Sequence, residues 1–509
     1  MLTGWNLSTS AAAVIESSDQ GVAAWDWDAR QIRQIGFAVA DILAGYLGGL
    51  AGRPVHQQVP EPLRRAWAAE EMPRSGTAPA EILARFTEQI APYPLGNGHP
   101  RFFGWVNSPP AVLAVYAEAL AAAMNPSVAG GDHAAYYLER QVVRWFAELA
   151  GMPAGAGGLL VSGASMATLT ALGTARHQAM SRAGIDVRTR GLQASGPRLL
   201  LYASAEAHGC VRKAAELLGI GSDNIREIET DSAARIRPEH LAAMLAADRD
   251  RDDLPVAVIA SAGTVNTGAI DPMAQIGAVC TEHGVWLHID AAYGGPPVLL
   301  LPEFQDSREA LGQADSIAID PHKWLYVPVG AGLVLLREPE RARHAFSLVP
   351  PYLRTDDQAA DTAWFSEYGF EQTRPFRALK IWMAVHQLGL DGYRDLIRHD
   401  LRLAEYLRTQ VRSAPDLELI AAGLSITCLR YRPADWTGTP EQLDDLNRRL
   451  VGAVQQAGRA FLTGTTVRNQ AVLRACIVNP GTRQRDIDVL LEEILRHGAR
   501  LAGPFRSPA

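Results

Sequence analysis

A lysine in Ile319-Asp320-Pro321-His322-Lys323-Trp324 follows, by about thirty residues, an aspartate in His288-Ile289-Asp290-Ala291-Ala292-Tyr293. A lysine amine is a poor nucleophile while protonated. In a partly apolar pocket beside other cationic groups its pKa falls, and it can then condense with an aldehyde to a Schiff base. An acid held at the end of a buried strand supplies a fixed anion opposite a pyridine nitrogen, which keeps that nitrogen protonated and the ring an electron sink. The two stretches together meet the needs of a pyridoxal phosphate site, and the chain reads as an enzyme.

Two further stretches have residue types that fit such a cofactor. Gly157-Gly-Leu-Leu-Val-Ser-Gly-Ala-Ser-Met-Ala-Thr168 runs strand, small-residue turn, helix. Gly163 permits the turn, and Ala164 and Ser165 present N–H groups and a hydroxyl at a helix N-terminus, where the dipole favours a phosphate. Taken alone, the same stretch is an ordinary βα turn with a serine cap. His208 lies just past another strand end, where an imidazole can stack on one face of a planar ring while small Ala292 leaves room on the other. Asp290 ends the apolar run Val285-Trp-Leu-His-Ile, and a bare carboxylate there is costly without a cation.

These residues need a scaffold, and the pattern from 113 to 390 supplies one. Short apolar runs alternate with turns and helical segments: 158–162, 198–203, 255–260, 285–290, 316–320 and 332–336. Runs apolar on both faces belong to a mostly parallel sheet covered by helices, so the class is α/β. Ligands of such sheets bind beyond the carboxyl ends of the strands, where Ser162, Ala203, Asp290 and Asp320 fall. Residues 1–112 read as a helical arm with little core of its own, helical over 32–50 and 80–90, expected to pack on a partner subunit or the main domain. Residues 391–509 read as a small α+β unit, with a helix over 396–412, strands over 417–420, 426–430 and 472–478, and a closing amphipathic helix over 484–497.

At 509 residues the chain is long enough for two or three lobes. Its net charge of −7, from 48 Lys+Arg against 55 Asp+Glu spread along the chain, offers no basic stripe for nucleic acid and no polybasic block for a membrane surface. A small-molecule partner is expected. Cys210, Cys280, Cys428 and Cys476 show no C-x-x-C spacing, which fits a reducing cytoplasm rather than a disulfide framework or zinc knuckle. No metal is expected, since the 13 histidines include no H-E-x-x-H. No leader and no run of about 18 uninterrupted apolar residues is seen, so no membrane span is expected.

The chain resembles the group II pyridoxal-phosphate-dependent amino acid decarboxylases, the family of the aromatic L-amino acid, histidine, tyrosine and glutamate decarboxylases, from about Ile32 to Leu495. The resemblance rests on 99–105 (HPRFFGW), 162–168 (SGASMAT), His208, 263–271 (GTVNTGAID), 288–293 (HIDAAY), 320–324 (DPHKW) and 373–382 (TRPFRALKIW). It implies a type I pyridoxal-dependent transferase fold, aspartate-aminotransferase-like, with a seven-stranded sheet and active sites at the interface of a homodimer. It implies pyridoxal 5'-phosphate bound to Lys323, Asp290 at the pyridine nitrogen, His208 and Ala292 on the two ring faces, and Gly163, Ala164, Ser165, Thr264 and His322 around the phosphate end. Trp105, Val106, Asn107 and Ser108 would line the substrate pocket, while Arg374, Arg377 and Lys380 read as structural ion-pair residues. The implied reaction is decarboxylation of an L-amino acid, aromatic first, to the amine. A catalytically silent scaffold of the same fold is disfavoured by the intact Lys323, Asp290 and His208.

Two departures bear on the product and the substrate. In aromatic decarboxylases of animals and plants a loop tyrosine is thought to protonate Cα, and a count back from Thr373-Arg374 without a gap puts Phe365 there. A phenyl ring cannot donate a proton. Plant relatives with that replacement are aldehyde synthases, in which the carbanion meets dioxygen and yields aldehyde, ammonia and peroxide, so an oxidative outcome is the alternative reading. Asn107, Asn125 and Ser127 also stand where apolar residues are usual, and histidine, acidic or diamino acid substrates stay open.

Overall fold

A computed structural model describes residues 26–192, 196–348 and 364–505. Its centre is a seven-stranded sheet of β1 (Gly157–Val161), β2 (Leu199–Ser204), β3 (Ile225–Ile228), β4 (Leu254–Ser261), β5 (Trp286–Asp290), β6 (Ser316–Ile319) and β7 (Gly332–Leu336), in the order β1-β7-β6-β5-β4-β2-β3. All neighbours are parallel except β7, which runs antiparallel to both β1 and β6. Every residue of β2, β5, β6 and β7 is buried, as expected of strands covered on both faces. Ser261, Asp290 and Ala318 are in register across β4, β5 and β6, so the ends of these strands open on one place.

The helix Ala164–Arg182 lies against this sheet and is buried on most sides. Its small residues Ala164, Ala167, Ala171 and Ala175 let it pack closely. Gly332, at the start of β7, passes the turn before this helix so closely that a Cβ would fall 2.3 Å from the Gly163 carbonyl carbon. Any side chain at 332 would push the turn off the sheet.

A second sheet, β8 (Leu417–Gly423), β9 (Ile426–Tyr431), β10 (Thr463–Val467) and β11 (Gln470–Cys476), has the order β10-β11-β9-β8 and is antiparallel throughout. It packs with the helices Pro440–Ala457 and Gln484–Ala502 around its own apolar core. The sequence-based boundary at 390/391 falls next to Gly389, whose non-helical backbone (φ 62°, ψ 173°) divides Ala378–Ser413 into two helical segments. The chain therefore passes from the large sheet to the small one through two helical segments that meet at Gly389.

Near the N-terminus, the helix Ala29–Gly49 begins with an Asp28–Gln31 capping box and buries only Ile42. Ile32 and Phe37 are exposed, as are Val112, Tyr116, Leu120 and Met124, spaced every four residues along the helix Val112–Met124. Against the expectation of no membrane-length segment, the stretch Ala29–Gly52 is long and apolar enough to cross a bilayer by length and composition, although Asp41 interrupts it. The first 25 residues of the expected arm lie outside the described residues.

Candidate active site

At the ends of β1, β4, β5 and β6 a cavity of ≈ 240 Å³ is bounded by the turn 163–165, by His208 and Cys210, by Asp290 and Ala292, and by Asp320, His322 and Lys323. Residues from six separate segments meet there, and those nominated from sequence as cofactor ligands, apart from Thr264, are among them.

Lys323 sits in the turn after β6, where its amide donates to the Asp320 carbonyl at 3.0 Å. Its Nζ is 3.1 Å from Asp320 Oδ2. The other oxygen of Asp320 accepts from the Ala164 amide at 2.7 Å, so one buried carboxylate ties the lysine turn to the helix start. His322 Nδ1 donates to the Ala331 carbonyl at 2.7 Å. A carbonyl only accepts, so Nδ1 carries a proton and the ring orientation is fixed. The Ser108 hydroxyl donates to the His322 carbonyl at 3.0 Å, which brings the segment before the helix Val112–Met124 to the site without exposing Ser108 in the cavity.

Asp290 closes β5 and is 9% exposed. Its Oδ1 accepts from the Ala292 amide at 3.1 Å, and among the described residues no cation pairs with it. A buried carboxylate with one backbone donor is a costly arrangement unless a ligand brings positive charge. Burial also pushes the neighbouring Cys210 thiol up to about 12, which leaves it an unreactive wall.

Ser165 is exposed in the first turn of its helix, and a Cβ at Gly163, two residues earlier, would meet the His322 ring at 3.8 Å. His208 is exposed at the cavity edge, and its Nδ1 accepts from the Cys210 amide at 3.2 Å. A neutral His208 therefore holds its proton on Nε2. The residues present fit pyridoxal phosphate: an amine for the aldehyde, an uncompensated anion, a helix start for the phosphate and small Ala292 at the wall.

Besides Ser108, four nominated residues are not in this cavity. Thr264 is buried, with its hydroxyl spent on Thr267 Oγ1 (2.9 Å) and the Ala269 amide (3.1 Å) inside its own loop, while neighbouring Gly263 and Val265 line the site. Trp105 has φ 47°, which turns its ring onto Phe102 and Phe461 at 6.1 and 5.6 Å, and only Val106 of that stretch reaches the cavity. Asn107 faces Asn97 instead, at 3.5 Å. Phe365 is buried against Tyr136 (5.1 Å) and under the Arg374 guanidinium (4.9 Å). It is core, and the gap-free count that made it a loop residue fails because Trp364–Glu367 is already anchored structure. Tyr368 lies beside it and bonds Glu340 at 3.2 Å.

Sequence reasoning also missed Cys210, Ser261 and Tyr293 as cavity residues. Tyr293 was visible in the 288–293 stretch, three residues beyond Asp290, but nothing local showed that its hydroxyl reaches Ser425 of the small sheet at 2.9 Å. Arg374, Arg377 and Lys380 are ion-paired to Glu139, Glu371 and Glu118.

Residues 60–432 match the family model of the pyridoxal-dependent decarboxylase conserved domain. An aromatic-L-amino-acid decarboxylase of Bacillus atrophaeus is 31% identical over 470 residues, 92% of this chain and 95% of the relative. A phenylacetaldehyde synthase of Arabidopsis thaliana is 26% identical over 474 residues, 90% of this chain and 94% of the relative. The crystal structure of Oryza sativa TDC with PLP and tryptamine superimposes with a TM-score of 0.86 at 26% identity, covering 95% of this chain and all of that one.

Proposed function

The chain belongs to the pyridoxal-dependent decarboxylase family, and from that premise we propose that it converts an aromatic L-amino acid to the corresponding amine and carbon dioxide. The enzyme class, carboxy-lyase, and the cofactor, pyridoxal phosphate, come with the family. The observation that carries the assignment of residues is the convergence of Lys323, Asp290 and the start of the helix Ala164–Arg182 on one cavity.

Bound pyridoxal phosphate supplies an aldehyde for an amine and a ring that accepts the electron pair left when carbon dioxide departs. In this reading Lys323 Nζ is the amine that holds it, with Asp320 orienting that nitrogen. Asp290 is the anion for the pyridine nitrogen. The Ala164 and Ser165 turn, with His322, receives the phosphate. His208 and Ala292 confine the ring, and His208 Nε2–H is a proton donor at the cavity for Cα.

The oxidative alternative drew on Phe365, whose ring is packed under Arg374 rather than placed in the cavity. The loop tyrosine that the family resemblance calls for is then proposed in 349–363, where Tyr352 is the one tyrosine in the sequence; this segment lies outside the described residues. A homodimer is also proposed, supported by the exposed apolar faces of the helices Ala29–Gly49 and Val112–Met124. A cytoplasmic location is proposed on the four free, buried cysteines.

The test incubates holoenzyme with a panel of L-amino acids and measures amine, aldehyde, carbon dioxide and peroxide together. Amine and carbon dioxide in equal amounts from an aromatic substrate are expected. Aldehyde with peroxide would replace the amine reading by the oxidative one, and turnover confined to acidic or diamino acids would overturn the substrate class.

A further inference from the structure

His288 sits two residues before Asp290 on β5, so both side chains point to the same face of the sheet, toward the helix Ala164–Arg182. It is fully buried. Its Nδ1 lies 2.9 Å from Ser316 Oγ, on the register partner in β6, and its Nε2 lies 3.3 Å from Thr168 Oγ1, on the helix. The Trp286 indole donates to the same Ser316 oxygen at 2.8 Å.

An indole N–H can only donate, so Ser316 Oγ accepts from Trp286 and keeps its hydrogen and a second lone pair for His288 Nδ1. His288 thus bridges Ser316 through Nδ1 and Thr168 through Nε2. The Thr168 hydroxyl also faces the Cys210 thiol, which lines the cavity. Burial pushes His288 down to about 4, so the imidazole is neutral and one ring nitrogen carries a proton.

Each end of this chain lies close to a different part of the site. Thr168 is three residues beyond Ser165, Ser316 is four before Asp320, and His288 is two before Asp290. We propose that His288 is a positioning residue that cross-links the helix of the phosphate turn, the strand of Asp290 and the strand leading to Lys323. It touches neither cofactor nor substrate. It acts by holding three separately encoded groups in register, where displacements of an ångström are expensive to a reaction. The inference rests on the proposed cofactor site.

The test compares holoenzyme with Thr168→Val, Thr168→Ser and Ser316→Ala. Thr168→Val removes the hydroxyl with little change in volume, Thr168→Ser retains it, and Ser316→Ala cuts the opposite end of the chain. Thr168→Val and Ser316→Ala are each expected to lower kcat about tenfold and to weaken pyridoxal phosphate binding by a similar factor. KM should stay within about twofold. The pH midpoint of the bound cofactor's visible absorbance should move in both, and Thr168→Ser should return all these values to near wild type. Either variant, folded by its thermal transition yet with wild-type cofactor affinity, absorbance titration and kcat, would overturn the proposal. Wild-type protein that binds cofactor but decarboxylates nothing in the panel defeats the substrate reading alone, because cofactor affinity still reads the role of His288.

Discussion

Two buried charged regions of this molecule are built on opposite principles. Beside β1, Arg374 is fully enclosed, and both its terminal nitrogens are answered, by Glu139, by the Val128 carbonyl at 2.7 Å and by the Leu160 carbonyl at 2.6 Å, with the face of Phe365 against the guanidinium. At the end of β5, Asp290 is nearly as buried and receives one backbone amide, with no cation among the described residues. A charge matched inside the protein holds the fold together. A charge left unmatched at a cavity wall is a place kept for a ligand, and the difference separates Arg374, despite its place in a family stretch, from the reacting groups.

Substitutions can break this contrast in order of effect. Lys323→Ala should reduce decarboxylation to background and abolish the visible absorbance of bound cofactor while the melting temperature holds, checked by spectra and thermal unfolding of the same sample. Arg374→Ala should cost about 3–5 kcal/mol in chemical denaturation, because Glu139 would be stranded. Asp290→Asn should do the reverse, lowering kcat about a hundredfold while stability is unchanged or raised, since it removes an unmatched charge. If Asp290→Asn unfolds the protein and Arg374→Ala spares it, the contrast is wrong. Phe365→Tyr should leave the amine-to-aldehyde ratio untouched and cost about 1–3 kcal/mol, because it adds a hydroxyl to packed core.

The smallest expected effect is on pH. Burial pushes both His99 and His288 down to about 4 from an ordinary 6.5. A base whose folded pKa is depressed stabilises the fold fully above its unfolded value and loses that contribution as pH falls through the folded one. Unfolding free energy should therefore decline from about pH 6.5 through about 4, and a substitution of either histidine should flatten the decline in denaturant titrations.

How legible each residue was depended on how local its determinants are. Lys323, Asp290 and Ser165 were readable because a strand end and the turn after it fix their direction within a few residues. The six strands of the large sheet that were read are apolar on both faces. The missed ones, β3 with Arg226 and Glu227 and β10 with Gly464 between threonines, are edge strands whose pattern looks like loop. Trp105, Asn107 and Thr264 were misplaced because a positive φ, a neighbouring asparagine and a loop-closing hydroxyl turn their side chains away. Phe365 was misplaced by counting through a segment whose length the count could not know. The His288 cross-link was invisible because Thr168, His288 and Ser316 are far apart in the chain and meet only when the sheet forms.

The central claim is that Lys323 carries the cofactor, and reductive trapping tests it most directly. Protein reconstituted with pyridoxal phosphate is reduced with borohydride, digested and mapped by mass spectrometry. The account predicts a phosphopyridoxyl group on the peptide containing Lys323 and none in Lys323→Ala. An adduct on a different lysine, or no adduct after reconstitution, would contradict it.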